Sequence, residues 1–397
     1  KENGNKIVNE VKMSEVWESS APGNIDLSEV PVYETGGTIY PGLIDMHNHY
    51  HYNYLPLWDY TKDPFYTNRY QWKDNPGYKP GVSWPKVFML QGDRWGLAEE
   101  AVKYAEVKSI VGGTTAIQGG PSSEKDAWAD ILARNIEHYN FGSDDIKTCA
   151  VCDAAYDLEY SGQHIIDDHN DGELDAWFVH VAEGTDASSL NEFSILKTQG
   201  LLLPETVLIH GVPLGAPEFA DMAAVDATLV WSPTSNLLLY GDTANVELAR
   251  AAGVNIALAP DWAPSGPKSV LHELKTADWW NKNQLNGIFT DYELAQMVTS
   301  NAADGMNWTS HIGRIWKGAE AGFIVVDNIA ADPYRNLIQA IDPDVRLTVV
   351  GGLPVFGDID LMAAMKGEDY EVLQGNGFQK AVDVTYEGVE DGSQTFE

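Results

Sequence analysis

The chain has 397 residues, of which 44% are hydrophobic and 21% are charged. This is the composition of a globular protein long enough to bury a barrel-sized core and a second, smaller one. Asp and Glu number 59 against 25 Lys and Arg, which gives a formal net charge of −34. Because such a field repels nucleic-acid phosphates and anionic lipid headgroups, we expect no nucleic-acid partner and no membrane partner.

The chain carries no apolar run of membrane-spanning length and no visible signal peptide. It opens abruptly at Lys1, which is consistent with a processed or trimmed N-terminus. We therefore expect either a cytoplasmic or an exported protein.

The predicted elements begin with a β-rich segment over residues 1–40, with short strands at 32–33 and 38–40. Residues 52–90 follow as an insertion rich in Tyr, Trp and Pro, without helical periodicity. From there strands and helices alternate, which is typical of a parallel α/β sheet. After the first strand, the predicted strands are 111–120, 146–153, 177–182, 207–212, 228–233 and 255–261, and the predicted helices are 94–107, 127–139, 189–199, 216–225, 243–252, 269–282 and 291–304. Residues 154–175 are predicted to be irregular, and an eighth strand is expected between 152 and 177.

The first strand of this series carries the motif PGLIDMHNHYH over residues 41–51. In an extended strand, residues two apart project to the same face, so His47 and His49 are expected to point together. Asp45 and His51 would lie on the same side. Neutral imidazole is the commonest nitrogen ligand of zinc-type metals. The pair therefore predicts half of a metal site, although polar residues at a strand end would give the same pattern.

Three later strands end in residues of the same chemistry. HVAEG places His180 at the end of an apolar strand, with Glu183 three residues on. LIHG places His210 on the next strand, and PDWAPSG places Asp261 at the end of a later one. In a barrel of parallel strands, functional side chains gather at the carboxyl ends of the strands. Because core packing does not require His or Asp at these ends, we interpret the set as a catalytic site.

At these residues the sequence resembles the metal-dependent amidohydrolases. PGLIDMHNH is similar to the first-strand motif of that family. HVAEG, LIHG, WSPTSN and PDWAPSG are similar, in order, to the later strand-end motifs of its triazine-hydrolase and nucleobase-deaminase branch. Residues 299–327, TSNAADGMNWTSHIGRIWKGAEAGFIVVD, resemble the family's return into a small β-sandwich. The resemblance covers nearly the whole chain.

The resemblance implies an α/β fold, a distorted (β/α)8 TIM barrel over residues 41–309 with a small β-sandwich domain formed by both chain ends, residues 1–40 plus 310–397. It also implies one catalytic divalent metal ion, with zinc foremost and iron or manganese as alternatives. The implied metal ligands are His47, His49, His180 and Asp261. Glu183 and His210 match the residues that act on the water and the leaving group. Asp261 serves in the family as a ligand and as a proton acceptor.

The chain departs from the family pattern in two places. Only 40 residues precede the first-strand motif, so the N-terminal part of the sandwich is predicted to be incomplete. The fourth-strand H-A-P motif is missing near Cys149 and Cys152, and Lys147 lies at the wrong end of its strand for carboxylation. These absences favour one metal ion over two. The cysteines form a single C-x-x-C pair in an apolar run and are interpreted as buried structural thiols.

A metal with imidazole and carboxylate ligands lowers the pKa of a bound water towards roughly 7. The expected enzyme is an amidohydrolase acting on carbon–nitrogen bonds other than peptide bonds. It would cleave an amide or cyclic amide, or displace an amino or chloro group from a heterocycle. Glu183 would pass a proton to the departing nitrogen. The alternatives are a lactonase or phosphotriesterase-like hydrolase on the same barrel, and an inactive scaffold homologue, although such homologues usually lose metal ligands that this chain retains.

Aromatic and polar residues near the strand ends are candidates for binding a small substrate with an aromatic or heterocyclic ring. The candidates are His51, Arg69, Trp72, Trp231, Ser232, Asn236 and Trp262. Trp231 and Trp262 suit stacking, and Arg69 suits an anionic group. Turn chemistry explains the WSPTSN segment nearly as well as substrate binding does.

The insertion over residues 52–90 leaves the strand that carries the first histidines, so it is expected to emerge at the catalytic mouth of the barrel. Its rings would be costly to leave exposed. We expect it to pack over the site, against a second subunit of a homo-oligomer, or both. At least one of Tyr52, Tyr54, Trp58, Tyr66, Arg69, Tyr70 and Trp72 is expected to border the substrate pocket.

Overall fold

The computed structural model describes residues 12–13, 28, 31–58, 65–119, 132–137, 141, 145–149, 157–375 and 377–384. Its strands are β1 (Thr38–Pro41), β2 (Leu43–Asp45), β3 (Thr114–Ile117), β4 (Arg134–Asn135), β5 (Asp145–Cys149), β6 (Leu174–Val181), β7 (Thr206–His210), β8 (Thr228–Trp231), β9 (Asn255–Leu258), β10 (Phe323–Val326), β11 (Val345–Val350), β12 (Leu353–Gly357), β13 (Glu371–Gly375) and β14 (Phe378–Val382). Its α-helices are α1 (Arg69–Lys73), α2 (Trp84–Leu90), α3 (Ala98–Val111), α4 (Asp157–Asp171), α5 (Ala187–Thr198), α6 (Ala216–Ala224), α7 (Pro233–Tyr240), α8 (Val246–Ala252), α9 (Val270–Asn283), α10 (Asp291–Gln296), α11 (Ser300–Asp304), α12 (Pro333–Gln339) and α13 (Ile359–Lys366).

Strands β2 to β9 form the parallel part of the fold. β2, β3 and β4 pair in parallel, and β5 to β9 form a second parallel run. Within each run the spatial order follows the chain order. A parallel bridge between Asn48 and Asp261 joins the segment after β2 to the segment after β9. Parallel strands in chain order, joined from last to first and separated by helices, are the arrangement of a (β/α)8 barrel. The predicted α/β barrel class is confirmed.

The barrel strands separate two apolar cores, because successive side chains of a strand point to opposite faces. Phe178, Val207 and Ile209 belong to the inner cluster. Trp177 and Leu208 belong to the outer cluster, which lies between the strands and helices. Trp308 packs into the inner cluster, and its Nε1 donates to a carboxylate oxygen of Asp175, at the start of β6, at 3.0 Å. The inner core therefore fills the amino end of the barrel and leaves the carboxyl end to polar groups.

A six-stranded antiparallel sheet lies beside the barrel, in the order β1-β10-β11-β12-β14-β13. Both ends of the chain contribute to it, since β1 pairs with β10. Helix α13 packs on this sheet through Leu361 and Met362, which contact Val325 and Leu347. The division of the chain into residues 1–40 plus 310–397 and 41–309 remains a prediction, because much of residues 1–30 and all of 385–397 lie outside the described residues.

The eighth barrel strand lies where a helix was expected. β4 has only two residues, Arg134 and Asn135, and falls inside the predicted helix 127–139, most of which lies outside the described residues. The expected position between 152 and 177 is wrong, because residues 157–171 form α4 and the next strand, β6, begins at Leu174. A strand of two residues has too few positions to show the alternation from which strands are predicted.

Two shorter segments also differ from expectation. Residues 32–33 form no strand, and Val32 is 71% exposed. The insertion is partly helical and contains α1 and α2. Helix α1 begins after Asn68, whose side chain caps it by accepting hydrogen bonds from the backbone N–H groups of Tyr70 and Gln71. Cys152 lies outside the described residues. Among the described helices, none is both long and apolar enough to cross a membrane.

Candidate active site

The first pair of histidines lies beyond the end of β2, not on an extended strand. β2 ends at Asp45. The backbone N–H of His49 donates to the carbonyl of Asp261 at 2.8 Å, and the N–H of Asp261 donates to the carbonyl of His47 at 3.1 Å. The two imidazole rings meet edge to face with centroids 4.9 Å apart. The histidines therefore converge as predicted, but pairing with the last barrel strand positions them, rather than strand alternation.

His47 is fully buried and held from both sides. Its Nδ1 lies 3.1 Å from the side-chain oxygen of Gln118, and its Nε2 lies 3.1 Å from a carboxylate oxygen of Asp261. The amide nitrogen of Gln118 donates to Glu137 at 2.6 Å, which leaves the amide oxygen to accept from Nδ1. In the neutral ring the lone pair of Nε2 then faces the Asp261 carboxylate. Two hydrogen-bond acceptors this close together repel each other unless a cation lies between them. Because both carry lone pairs, they can ligate one metal ion together.

His180 and His210 complete a ring of imidazoles around His47. The ring centroids of His180 and His47 are 4.6 Å apart, and His180 stacks on His49 at 5.4 Å. The ligand atoms of His47, His49 and Asp261 all lie within 4.8 Å of one another, and so do those of His47, His180 and His210. Imidazole nitrogens with one carboxylate are the donor set of zinc-type sites. The residues present therefore fit a divalent transition metal.

The protonation states suit metal binding as well. Burial lowers the pKa of His49 to about 3 and holds the pKa of His180 well below its ordinary range. Burial alone would raise the pKa of Asp261, but the contact with His47 and the charges of nearby imidazoles outweigh it and place this pKa at about 2. Burial lowers the pKa of His47, but the same contact outweighs burial and raises it, because a proton on Nε2 can lie between the two groups at the place that a cation would otherwise take. Metal ligands must be neutral imidazoles and ionised carboxylates, and His49, His180 and Asp261 meet that requirement.

Two of these residues have left-handed backbones. His210 has φ +78° and Asp261 has φ +69°. Because Val207 and Ile209 face the barrel interior, alternation alone would point His210 outward with Leu208. The imidazole of His210 instead lies 5.3 Å from that of His180, and its Nδ1 lies 3.0 Å from the amide oxygen of Asn236. Strained backbones of this kind cluster at functional sites.

Glu183 lies next to the imidazoles in a network of hydrogen bonds. The hydroxyl of Tyr240 donates to one carboxylate oxygen at 2.6 Å, and Nε1 of Trp72 donates to that hydroxyl at 2.9 Å. The other carboxylate oxygen lies 3.8 Å from Nε2 of His210 and 4.0 Å from the guanidinium of Arg69. This arrangement fixes the carboxylate beside the metal-binding histidines, where it can exchange a proton with a bound molecule.

Aromatic side chains, some of them from the insertion, lie next to His49. The indole of Trp262 lies 6.1 Å from the His49 ring, 5.2 Å from Tyr52 and 5.5 Å from Trp72. His51 packs on Tyr52 with ring centroids 4.7 Å apart. These four aromatic groups form one wall of the site, and they include three of the predicted substrate-binding residues.

The other predicted substrate-binding residues are placed differently. Trp231 is not brought to the site, because its ring packs in the outer core and its Nε1 donates to Thr243 at 2.8 Å. Ser232 is buried, and its hydroxyl has no hydrogen-bond partner within the described ranges. The guanidinium of Arg69 is buried between carboxylates, 3.5 Å from Glu192 and 4.0 Å from Glu183. The amide oxygen of Asn236 lies 3.0 Å from Nδ1 of His210.

Two residues of the site were missed in the sequence. Gln118 directly follows β3, so the rule that polar residues at strand ends are functional could have found it. Gly119 comes next with φ +107°, and a Cβ atom there would lie 1.5 Å from the carbonyl oxygen of Asn48. The glycine thus permits the close approach of β3 to the histidine turn. Tyr240 ends helix α7, and no pattern in the sequence connects it to Glu183.

A surface cavity of about 430 Å³ lies at the other end of the barrel, beside the starts of β8 and β9. None of the candidate site residues lines it. The side chains that can bind a metal gather instead at the carboxyl end, as expected for an enzyme built on this barrel.

Fold and site together define a barrel protein with a metal-binding centre. A sequence model of the amidohydrolase family matches residues 135–355, more than half of the chain. The chain belongs to the amidohydrolase family.

Individual relatives match over shorter stretches. The 5-methylthioadenosine/S-adenosylhomocysteine deaminase of Thermococcus sibiricus is 32% identical over 168 residues, which covers 40% of this chain and 39% of that protein. The deaminase of the same name from Halobacterium salinarum is 32% identical over 173 residues, which covers 41% of this chain and 40% of that protein. The aligned stretch thus spans less than half the length of these curated relatives.

Solved structures show the same fold over more of the chain. A mutant of atrazine chlorohydrolase TrzN from Arthrobacter aurescens TC1, complexed with zinc and atraton, superposes with a TM-score of 0.67 at 15% identity and covers 88% of this chain and 89% of that one. An adenosine deaminase from Xanthomonas campestris with bound zinc gives a TM-score of 0.61 at 17% identity and covers 80% of each chain. At these identities the likeness concerns the fold.

We predict that Gln118→Ala weakens metal binding. The amide oxygen of Gln118 fixes the tautomer and orientation of His47, and removal of such a partner typically reduces metal affinity by about 10- to 100-fold. Competition with a chromophoric chelator measures the affinity for Zn²⁺. Gln163→Ala, at an exposed position on α4 outside the site, is the control and should keep the affinity of the wild type. Unchanged affinity in Gln118→Ala would show that the tautomer of His47 is set elsewhere.

Proposed function

We propose that the chain hydrolyses carbon–nitrogen bonds of small molecules, as a deaminase or amidase of aminated heterocycles or cyclic amides. One observation carries the proposal. His47, His49, His180 and Asp261 converge at the carboxyl end of the barrel with Glu183 beside them. Membership of the amidohydrolase family and the deaminase names of the curated relatives support it.

The proposed metal is one divalent ion, zinc foremost and iron or manganese as alternatives, held by His47, His49, His180 and Asp261. Zinc is present in the neighbouring atrazine chlorohydrolase and adenosine deaminase structures, which supports this choice. When bound, such an ion supplies Lewis acidity and an activated water at neutral pH. Lys147 pairs with Asp168 at 3.5 Å, away from the histidines, so it offers no support for a second metal.

The side chains have separate roles in the proposed reaction. Glu183 receives a proton from the attacking water and returns it to the departing nitrogen. Tyr240 donates to one carboxylate oxygen, so the other oxygen is the one that exchanges the proton. Nδ1 of His210 is engaged by Asn236, which leaves Nε2 directed at the site to accept a hydrogen bond and orient the water. Asp261 acts as a ligand, and its second oxygen accepts from Ser235 at 2.6 Å.

The substrate is proposed to be a small molecule with an aromatic or heterocyclic ring. Trp262, with Tyr52 and Trp72 behind it, offers an aromatic surface next to His49 against which a ring can stack. His51 borders the same surface through Tyr52. Ester or phosphotriester hydrolysis on the same barrel is the rival activity. The fixed position of Glu183 favours C–N cleavage, because an amine leaving group needs a proton more than an activated alkoxide does.

The metal proposal makes a direct prediction. Purified protein loaded with Zn²⁺ should retain about one equivalent per chain, and a chelator should remove hydrolytic activity that zinc, iron or manganese restores. Elemental analysis by mass spectrometry measures the content. His49→Ala should lower it, whereas His164→Ala, on α4, should not. Two equivalents in the active protein would contradict the single-metal assignment.

The role of Glu183 is tested by separating binding from turnover. Glu183→Gln should keep its metal and lower kcat by about 10² or more, because a general acid–base is lost. Turnover is measured on panels of aminoheterocycles, amides, lactones and aryl phosphates. Glu205→Gln, which changes a carboxylate paired with His169 outside the site, is the matched control. Near wild-type turnover in Glu183→Gln would refute the proton-transfer role, and hydrolysis of only lactones or aryl phosphates would refute the C–N assignment.

We also propose that the protein is a homo-oligomer. Trp84 and Phe88 lie in the last helix of the insertion and Trp95 lies just after it, and they are 55%, 47% and 65% exposed, so they offer apolar surface to a second subunit. Trp84→Glu together with Phe88→Glu should produce a monomer in light scattering coupled to size exclusion. Tyr292→Glu, at a position 49% exposed on another face, should leave assembly unchanged. A wild-type monomer would overturn the proposal.

A further inference from the structure

Lys and Arg number 25 in this chain, against 59 Asp and Glu. Among the described residues, Arg69 and Lys86 are basic side chains close to the candidate active site. Arg69 is buried and its charge is balanced, since its guanidinium lies 3.5 Å from Glu192 and 4.0 Å from Glu183. The Ala182 backbone N–H donates to the second oxygen of Glu192 at 2.8 Å, which holds that carboxylate in place. Arg69 is therefore committed to positioning carboxylates, and an anionic ligand would find no uncompensated charge there.

Lys86 is in a different situation. It lies on α2 at the end of the insertion, and its side chain is half-buried. Its ammonium sits 4.7 Å from the centroid of the Tyr52 ring. Within the described ranges no carboxylate forms an ion pair with it, although the chain contains 59 acidic residues. Burial lowers the pKa of Lys86, which is the signature of an ammonium that has lost water without gaining a counter-charge.

Lys86 is also close to the metal-binding histidines. Tyr52, which lies under its ammonium, has its ring centroid 6.4 Å from that of His49 and 5.2 Å from that of Trp262. After burial, which is the larger cause, the positive charge of Lys86 contributes to the lowered pKa values of His49 and His51. The ammonium therefore lies at the aromatic wall of the site, and the ring of Tyr52 separates it from His49.

The backbone around Lys86 holds it at this place. The Tyr54 hydroxyl donates to the carbonyl of Lys86 at 3.3 Å, and Tyr78 hydrogen-bonds with Tyr52. An ammonium kept half-buried over one aromatic ring retains donors that point away from that ring. In a chain of net charge −34, a lysine at the mouth of a site with no acidic partner among the described residues is a local exception to the surrounding field.

We propose that Lys86 binds an anionic substituent of the substrate, a carboxylate, while the ring that carries the reacting C–N bond lies against Trp262 next to His49. The inference rests on the proposed function and narrows its substrate class to heterocycles or cyclic amides that carry a negative group. A carboxylate is favoured over a phosphate because one ammonium balances one charge. A second negative charge would remain opposed by the acidic surface.

The test measures binding rather than turnover, so it is independent of which bond the enzyme cleaves. The probes are benzoate, its neutral isostere nitrobenzene, and phenylphosphonate, titrated into the zinc-loaded protein by calorimetry or ligand-observed NMR. Lys86→Met keeps the length of the side chain and removes its charge, and Lys86→Arg keeps the charge. Lys79→Met removes an exposed charge from the same insertion and is the control.

Wild-type protein should bind benzoate more tightly than nitrobenzene. Lys86→Met should weaken benzoate binding by at least about tenfold and leave nitrobenzene binding unchanged, because one charged hydrogen bond is lost. Lys86→Arg and Lys79→Met should bind benzoate like the wild type. Preferential binding of phenylphosphonate, abolished in Lys86→Met, would replace carboxylate by phosphate as the recognised group and overturn that part of the proposal.

Three results would overturn it entirely. Benzoate that binds no better than nitrobenzene shows that no anion site exists. Benzoate binding that is retained in Lys86→Met but lost on removal of zinc assigns the anion to the metal. Equal loss of both ligands in Lys86→Met shows that Lys86 only supports Tyr52. Benzoate binding that is lost in Lys86→Met, together with no turnover of any C–N substrate, would refute the hydrolase proposal and support the anion site.

Discussion

The pairing of Asp261 with the histidine turn is the constraint on which the rest of the site depends. Its backbone N–H and C=O are both used, towards His47 and His49 respectively, and this pair of hydrogen bonds joins the last barrel strand to the first. The same residue directs its carboxylate at Nε2 of His47. The same contacts of Asp261 therefore close the barrel and bring the candidate metal ligands together. A left-handed backbone at Asp261 is what allows both, and its strain is offset by the contacts that it makes.

A second anchor holds the opposite side of the site. The first turn of α7, in the segment WSPTSN, places Ser235 on the free oxygen of Asp261 and Asn236 on His210. Thr234 in the same turn donates its backbone N–H and hydroxyl to the buried carboxyl of Glu273 on α9. Burial raises the pKa of Glu273 to about 8, so the group is neutral at pH 7 and adds no charge behind the ligands. One helix turn therefore holds both Asp261 and His210 in place.

The candidate site residues are easier to find in the sequence than some of the barrel strands that position them. His47, His180 and Asp261 could be found because polar residues that close apolar strands have few structural explanations. β4 could not be found, since two residues carry no periodicity and its position follows only from pairing with β3. The imidazole of His210 lies beside those of His47 and His180, although strand alternation would turn it outward, and its positive φ accounts for the difference. Tyr240 depends on a contact across 57 residues, which no local pattern records.

The aromatic insertion connects the aromatic wall of the site to Glu183. Trp72, which belongs to the insertion, contacts Trp262 on one side and donates to Tyr240 on the other, and Tyr240 donates to Glu183. A ligand that shifts Trp262 or Trp72 therefore acts on the hydrogen bond between Tyr240 and Glu183, on which the proposed proton transfer depends. The insertion is fixed to the barrel next to this chain of contacts, because the Arg69 N–H donates to the carbonyl of Glu183 at 3.2 Å. Since a buried, fully connected network has few alternative arrangements, the aromatic wall and the acid–base group are expected to move as one unit.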